Sequence, residues 1–94
     1  MQIILNKKTY TATGVKAIKV REALIIYEST DMNNICSKKL DEMADYVVSL
    51  YDGKFTRDEL YNGLGADDLI STLIGNMGKV ITGVTDILDT FPEK

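Results

Sequence analysis

The first dozen residues have a pattern that predicts two short β-strands. Residues 2–5 and 9–12 are rich in branched and aromatic side chains, and the polar residues Asn6, Lys7 and Lys8 separate them. Three polar residues between two such runs are typical of a hairpin loop. We therefore expect a small N-terminal β-hairpin with a three-residue turn.

After the hairpin, the spacing of apolar residues changes to that of a helix. Between Val15 and Glu28, apolar residues recur every three or four positions, and Thr13 or Gly14 can start this first helix. The positions predicted to face the core are Ala17, Val20, Ala23, Leu24 and Tyr27.

The second helix has the clearest one-sided pattern in the chain. Apolar residues follow the spacing of one buried stripe from Leu40 to Tyr51, and Ser37 can cap the start of the helix. Gly53 occupies the position at which a residue with a left-handed backbone would end it. The predicted stripe consists of Leu40, Met43, Ala44, Val47, Val48 and Tyr51.

Two more helices are predicted in the second half of the chain. Thr56 and Glu59 have the spacing of a capping box, and Gly63 keeps this third helix short. The fourth helix begins at Asp67–Asp68, and its apolar residues repeat at helical spacing as far as Phe91–Pro92. Uninterrupted, it would be about 36 Å long, which exceeds the width of a compact domain of this size.

Three glycines, Gly75, Gly78 and Gly83, lie inside this last helical pattern. Each costs a helix about 1 kcal/mol relative to alanine. They indicate either a break between two shorter helices or a close approach of another helix. If the helix does not break, its end projects and needs another surface to cover it, so we expect self-association or a partner there.

These elements together predict a mainly α fold of α+β type. A short N-terminal β-hairpin over residues 1–13 precedes about four helices over residues 15–91, the last of them long or broken at glycines. The chain of 94 residues matches the size of one domain, so residues 1–94 are expected to form a single domain.

Composition excludes most catalytic chemistry. The chain has no His and a single cysteine, Cys36, so imidazole catalysis, Cys-His dyads and zinc sites of mixed Cys and His lack their residues. The three carboxylate pairs lie in predicted first turns, where negative charge stabilises a helix; they are Asp41–Glu42, Asp58–Glu59 and Asp67–Asp68. We predict no enzyme activity, no catalytic residue, no cofactor and no metal site.

One motif requires a separate test for a cofactor. Residues 64–69 are similar to the Gly-Ala-Asp-Ser-Leu motif of acyl carrier proteins, but Asp68 stands where the carrier serine would be. A carboxylate cannot replace the serine hydroxyl as the oxygen of a phosphodiester. We therefore expect no phosphopantetheine.

Charge and hydropathy narrow the range of partners. The net charge of −3 has the wrong sign for a protein that binds nucleic acid through phosphate contacts. No apolar run approaches the roughly 20 residues needed to span a bilayer, and no signal peptide is visible. We expect a cytoplasmic protein that binds neither nucleic acid nor membrane. Tyr46 and Tyr61 are candidates for a protein interface because tyrosine is common at such surfaces.

At this point the sequence resembles a known family. Residues 46–64, YVVSLYDGKFTRDELYNGL, are similar to the tail assembly chaperones of siphophages, in which an aliphatic helix ends before a Phe-Thr-x-acidic-acidic-Leu-x-x-Gly-Leu segment. The opening Leu5–Tyr10 is similar to the Asn-Gly-Lys-x-Tyr hairpins that begin many of these proteins, with Lys7 in place of the usual glycine.

The resemblance implies a non-enzymatic protein of virion morphogenesis in the host cell cytoplasm, absent from the mature virion. Such a chaperone binds the tape measure protein and keeps it soluble during polymerisation of the tail tube protein. The candidate partner-binding residues are Phe55, Leu60, Tyr61, Leu64, Met77, Ile81, Val84 and Leu88. The alternative for these residues is the core, and the alternative function is a small regulatory adaptor. A homo-oligomer through the C-terminal helix is also expected.

Overall fold

The computed structural model describes residues 1–83, in which a β-hairpin precedes four helices. The fold is mainly α with a small two-stranded antiparallel sheet, which confirms the predicted class. The elements are β1 (Gln2–Leu5), β2 (Lys8–Thr11), α1 (Ile18–Glu28), α2 (Ser37–Leu50), α3 (Arg57–Gly63) and α4 (Leu69–Thr82).

The hairpin turn contains two residues, so the predicted three-residue turn was wrong. Leu5 pairs with Lys8, and only Asn6 and Lys7 lie between them. Both have positive φ, 52° for Asn6 and 70° for Lys7, as a type I′ turn requires. Lys8 therefore belongs to β2, because the twist of two paired strands favours this tight turn over a longer one.

The first helix starts later than its apolar pattern suggested. Ala17 is the residue before α1, and Gly14, with φ of 66°, lies in the turn that leads to it. The predicted start at Thr13 or Gly14 was therefore wrong. A left-handed residue at position 14 redirects the chain, so the helix can form only beyond it.

The two ends of α2 also differ from the prediction. Cys36, not Ser37, is the residue before the helix, and its side chain makes no capping hydrogen bond. At the other end, Asp52 is the left-handed residue after the helix, with φ of 56°, and Gly53 follows it with φ of 69°. The N–H of Gly53 donates to the carbonyl of Val48 at 3.2 Å, and the N–H of Asp52 donates to Ser49 at 3.2 Å. This pair of bonds is a Schellman motif.

The third helix confirms the capping box. The Thr56 hydroxyl accepts from the N–H of Glu59 at 3.1 Å, and the N–H of Thr56 donates to the Glu59 carboxylate at 2.8 Å. After Gly63 the backbone of Leu64 is extended, with φ of −114° and ψ of 147°. The chain leaves α3 here because Gly63 packs directly on β1.

The fourth helix ends at one of the three glycines. Gly83 has φ of 77°, and its N–H donates to the carbonyl of Val80 at 3.1 Å, which closes α4. Gly75 and Gly78 lie inside the helix without interrupting it. The apolar pattern that was expected to continue to Phe91–Pro92 lies outside the described residues.

The core joins the hairpin to all four helices. Phe55 packs between Tyr10 and Tyr51, with ring centroids 4.9 Å and 5.4 Å away. The buried Tyr51 hydroxyl donates to Oδ1 of Asn76 at 2.6 Å, and Nδ2 of Asn76 donates to the carbonyl of Thr72 at 2.8 Å. The largest fully buried side chains are Tyr51, Phe55, Met43, Leu60, Leu73, Met77, Val47 and Val80.

The contact between α3 and β1 predicts opposite effects of alanine at two glycines. A Cβ at Gly63 would lie 2.8 Å from Cβ of Leu5 and 3.2 Å from its Cα, whereas a Cβ at Gly78 would meet nothing within 4 Å. We expect Gly63→Ala to lower the free energy of unfolding by about 1–3 kcal/mol, because β1 must move away. Gly78→Ala should raise it by up to about 1 kcal/mol, because alanine favours the helix. Urea unfolding of both variants measures this, and equal stability changes would contradict the described packing.

Candidate protein-binding face

Helix α1 carries more apolar side chains than its contact with the core can bury. Ala23 and Ile26 face the core, and Val20 and Tyr27 are half-buried. The remaining large apolar residues lie in solvent: Ile18 is 53% exposed, Leu24 42% and Ile25 46%. The exposed side of α1 is therefore a candidate contact surface for another protein, because large apolar residues grouped on one helix face mark such sites.

The exposed residues form two short apolar rows along the helix. Ile18 and Ile25 are seven positions apart and lie on one side, while Ala17 and Leu24, with the same spacing, lie on the other. Arg21 and Glu28 lie between the rows and complete a shallow apolar groove with Val20. We call the side chains of Ile18, Leu24 and Ile25 the α1 face.

A second groove next to the α1 face separates α1 from α2. Ile25, Ile26 and Tyr46 provide its apolar walls, and three carboxylates line it. These are Glu22, Glu42 and Asp45. Each carboxylate has a basic partner at 3.0 Å, which is Lys19, Lys39 and Arg57 respectively. The groove therefore has an apolar centre and a rim of ion pairs. Exposed ion pairs of this kind contribute little to stability.

Polar contacts fix α1 in position and hold the α1 face outward. The hydroxyl of Tyr46 in α2 donates to the carbonyl of Lys19 at 2.5 Å, and Nζ of Lys19 donates to Oγ of Ser49 at 2.9 Å. On the α4 side, the hydroxyl of Tyr27 donates to the carbonyl of Ile74 at 3.4 Å. Tyr46 is buried, so its predicted place at an interface was wrong. Burial, and then the charge of Glu22, raise the pKa of Tyr46 to about 12.

Tyr61, the other interface tyrosine, belongs to a polar cluster that joins α3 to α2. Its hydroxyl donates to Oδ1 of Asp41 at 2.6 Å. Nη1 of Arg57 donates to Asp45 at 3.0 Å, and Nε of Arg57 lies 4.0 Å from Asp41. Burial, followed by the hydrogen bond to Asp41, raises the pKa of Tyr61 to about 12. The Tyr61 hydroxyl therefore has a structural role, because it already has a partner within the chain.

The predicted partner-binding residues within residues 1–83 fall into a buried group and a half-buried group. Phe55, Leu60 and Met77 are buried in the core, which was the alternative place predicted for these residues. Tyr61, Leu64 and Ile81 pack against the core and remain half-buried, so part of each side chain is accessible. Val84 and Leu88 lie outside the described residues.

Sequence reasoning missed the α1 face. Ala17 and Leu24 were assigned to the core, yet both are exposed, and Ile26 faces the core instead. The available signal was the surplus of apolar residues between 17 and 27, since a helix that is apolar on all sides must be covered on all sides. Among residues 1–83, other elements cover α1 on one side only.

Two kinds of site are absent from the described part of the chain. Among residues 1–83, no three His, Cys, Asp or Glu side chains are grouped so that they could hold a metal ion. No helix in the same range is both long and apolar enough to cross a bilayer.

Comparison with known proteins gives the family. The model of the phage tail chaperone protein family matches residues 2–91, and the chain belongs to this family. The family supports a role as a chaperone in phage tail assembly, which implies protein partners. No curated protein and no solved structure matches the chain.

The Tyr61–Asp41 hydrogen bond predicts a loss of stability at high pH. Because the pKa of Tyr61 in the folded protein is raised to about 12 from an ordinary value of about 10, the folded state binds the phenolic proton more tightly than the unfolded state. This contribution is complete below about pH 10 and is lost as the pH rises to about 12. Tyr61→Phe should therefore reduce the slope of unfolding free energy against pH in this window.

Urea unfolding between about pH 9 and about pH 12 measures that slope. All other ionisable groups are the same in both proteins, so the difference between the two curves isolates Tyr61. Parallel curves for Tyr61→Phe and the unsubstituted protein would contradict the assignment.

Proposed function

We propose that this phage tail chaperone binds the tape measure protein and keeps it soluble while the tail tube protein polymerises around it. The family supports a tail assembly chaperone, and the α1 face is the observation that supports direct binding of an apolar client. The protein would act in the cytoplasm of the host cell and leave before the virion is complete. Siphophages are the expected source.

The α1 face is suited to an apolar, helical client segment. Ile18 and Ile25 of this face have the seven-residue spacing that a second helix uses when it packs side by side with the first. Burial of a leucine or isoleucine side chain contributes about 1.5–3 kcal/mol when it is complete, so a few such contacts suffice for reversible binding. Reversibility suits a chaperone whose client must later be released to the tail tube.

The half-buried residues of α3 and α4 extend the proposed contact surface. Tyr61, Leu64 and Ile81 could contribute without unfolding, whereas Phe55, Leu60 and Met77 would have to leave the core to touch a client. A homo-oligomer through the C-terminal helix, with Val84 and Leu88, is part of the same proposal. It predicts a larger particle in solution than the single chain.

Co-expression with the tape measure protein encoded in the same genome tests the proposed function. We expect the client to stay soluble and to co-purify with this protein, whereas it precipitates when expressed alone. An insoluble client with this protein alone in the supernatant would overturn the proposal and favour the regulatory adaptor.

Glutamine substitutions on α1 test the surface. Leu24→Gln together with Ile25→Gln should weaken client binding at least tenfold, because two exposed apolar contacts are lost. The melting temperature should change little, since both side chains lie in solvent. The matched control is Ile70→Gln, which removes a side chain that is 37% exposed on α4. Equal weakening by the control, or unchanged binding by the α1 variant, would show that the α1 face is not the contact.

A further inference from the structure

The outer edge of β1 has backbone groups without partners in the described part of the chain. Leu5 pairs with Lys8 across the two-residue turn, and Met1 and Ala12 exchange both backbone bonds at the other end of the hairpin. Because such pairs alternate along an antiparallel ladder, the N–H and C=O groups of Gln2 and Ile4 point away from β2. Neither residue has another backbone hydrogen bond within residues 1–83.

The other edge of the hairpin is bridged at one position by a charged side chain. Thr11 of β2 points its backbone outward, and its carbonyl accepts a hydrogen bond from Nζ of Lys54 at 3.0 Å. A lysine placed across a strand edge is a common protection against pairing with a further strand. β1 has no such protection, since its residues Gln2–Leu5 include no charge and no proline.

Next to the turn, the outer edge of the hairpin makes one backbone hydrogen bond to the segment after α3. The N–H of Asn6, the next outward position after Ile4, donates to the carbonyl of Gly63 at 3.1 Å. Leu64 then continues in an extended conformation. The remaining part of the edge, at Gln2 and Ile4, borders a groove of about 430 Å³.

The opposite wall of this groove is the outer side of α4. Small or polar residues form it, and a Cβ at Gly75 would meet nothing within 4 Å. The wall residues are Asp68, Ser71, Thr72, Gly75, Asn76 and Lys79. On the strand side, Ile4 is 54% exposed and supplies an apolar contact. A low wall beside an open strand edge leaves room for an extended backbone.

The charges of the groove define the occupant further. Asp68 lies at one end of the α4 wall and Lys79 at the other, about 16 Å apart along the helix. Neither forms a salt bridge within residues 1–83. An extended segment covers the same distance in about five residues. Complementary charges therefore require a basic residue near Asp68 and an acidic residue near Lys79, about four or six positions away, because side chains on the same side of an extended segment are an even number of positions apart.

We propose that the groove between β1 and α4 binds an extended segment of a partner protein, which pairs with the backbone of Gln2 and Ile4 as a third strand. The segment carries a β-branched side chain against Ile4, a basic residue facing Asp68 and an acidic residue facing Lys79. This mode of binding is β-strand addition, in which backbone bonds supply affinity and the flanking side chains supply specificity. The proposal does not depend on the tape measure protein being the client.

Two short peptides serve as probes. One has the sequence KTVTVTE and the other the reverse order ETVTVTK, both with blocked ends, because the charges define the direction of the strand relative to α4 and here lie on the same side of the strand. We expect one of the two to bind the full chain and to slow hydrogen exchange of the Gln2 and Ile4 amides, as followed by NMR. A peptide with proline in place of both valines should not bind, because proline lacks the N–H group.

Two protein variants localise the binding. Gly75→Gln places a side chain in the groove and should weaken the better peptide at least fivefold. Gly78→Gln is the matched control, since Gly78 is also an open position in α4 but does not line the groove. Lys79→Glu should weaken the same peptide about threefold, and a peptide with lysine in place of its glutamate should restore the binding to this variant.

Three results would overturn the proposal. The first is that neither peptide protects the Gln2 and Ile4 amides. The second is equal weakening by Gly75→Gln and Gly78→Gln. The third is protection of these two amides in the full chain before any peptide is added, which would mean that residues 84–94 of this chain or a second copy already occupy the edge.

Discussion

The burial of Phe55 is the contact on which the arrangement of the other elements depends. Its ring lies between Tyr10 of β2 and Tyr51 at the end of α2, and the next residue, Thr56, caps α3. Tyr51 continues the connection to α4 through its hydrogen bond with Asn76. Phe55 and Tyr51 together thus join the hairpin to α2 and α4, and α3 begins directly after Phe55. The Asp52–Gly53 turn lies between these two aromatic residues. α3 is then pressed against β1, where only glycine fits at position 63.

This arrangement explains why two surfaces remain open. α1 contacts the core through Ala23 and Ile26, and no other described element covers its outer side. Within residues 1–83, β1 is bonded to β2 on one edge, and on the other edge the adjacent turn residue Asn6 makes one backbone bond, to Gly63. A domain of this size cannot bury every apolar side chain or pair every strand edge, because its surface is large relative to its volume. In a protein that assists assembly, such surfaces are where partners can bind.

The local signals in the sequence predicted local structure well. The capping box of Thr56 and Glu59 was visible because both partners lie within one turn, and the four helices followed from the spacing of their apolar residues. The errors in element boundaries occurred where the backbone adopts a left-handed conformation, near Lys7, Gly14 and Asp52. Lys7 adopts this conformation although lysine does not favour it, whereas aspartate, as at Asp52, adopts it more often. Their conformations are imposed by the strand twist and by the Schellman motif, respectively.

The sequence by itself determined the element order, the fold class and the absence of imidazole chemistry, because these depend on composition and on spacing within a few residues. It also carried the resemblance to tail assembly chaperones, which the family comparison bears out. Tertiary structure alone decided which apolar residues are covered: Tyr46 is buried and Leu24 is exposed, although both belong to amphipathic patterns. The reason is that periodicity defines the faces of a helix, whereas the identity of the buried face depends on neighbours that are distant in the chain.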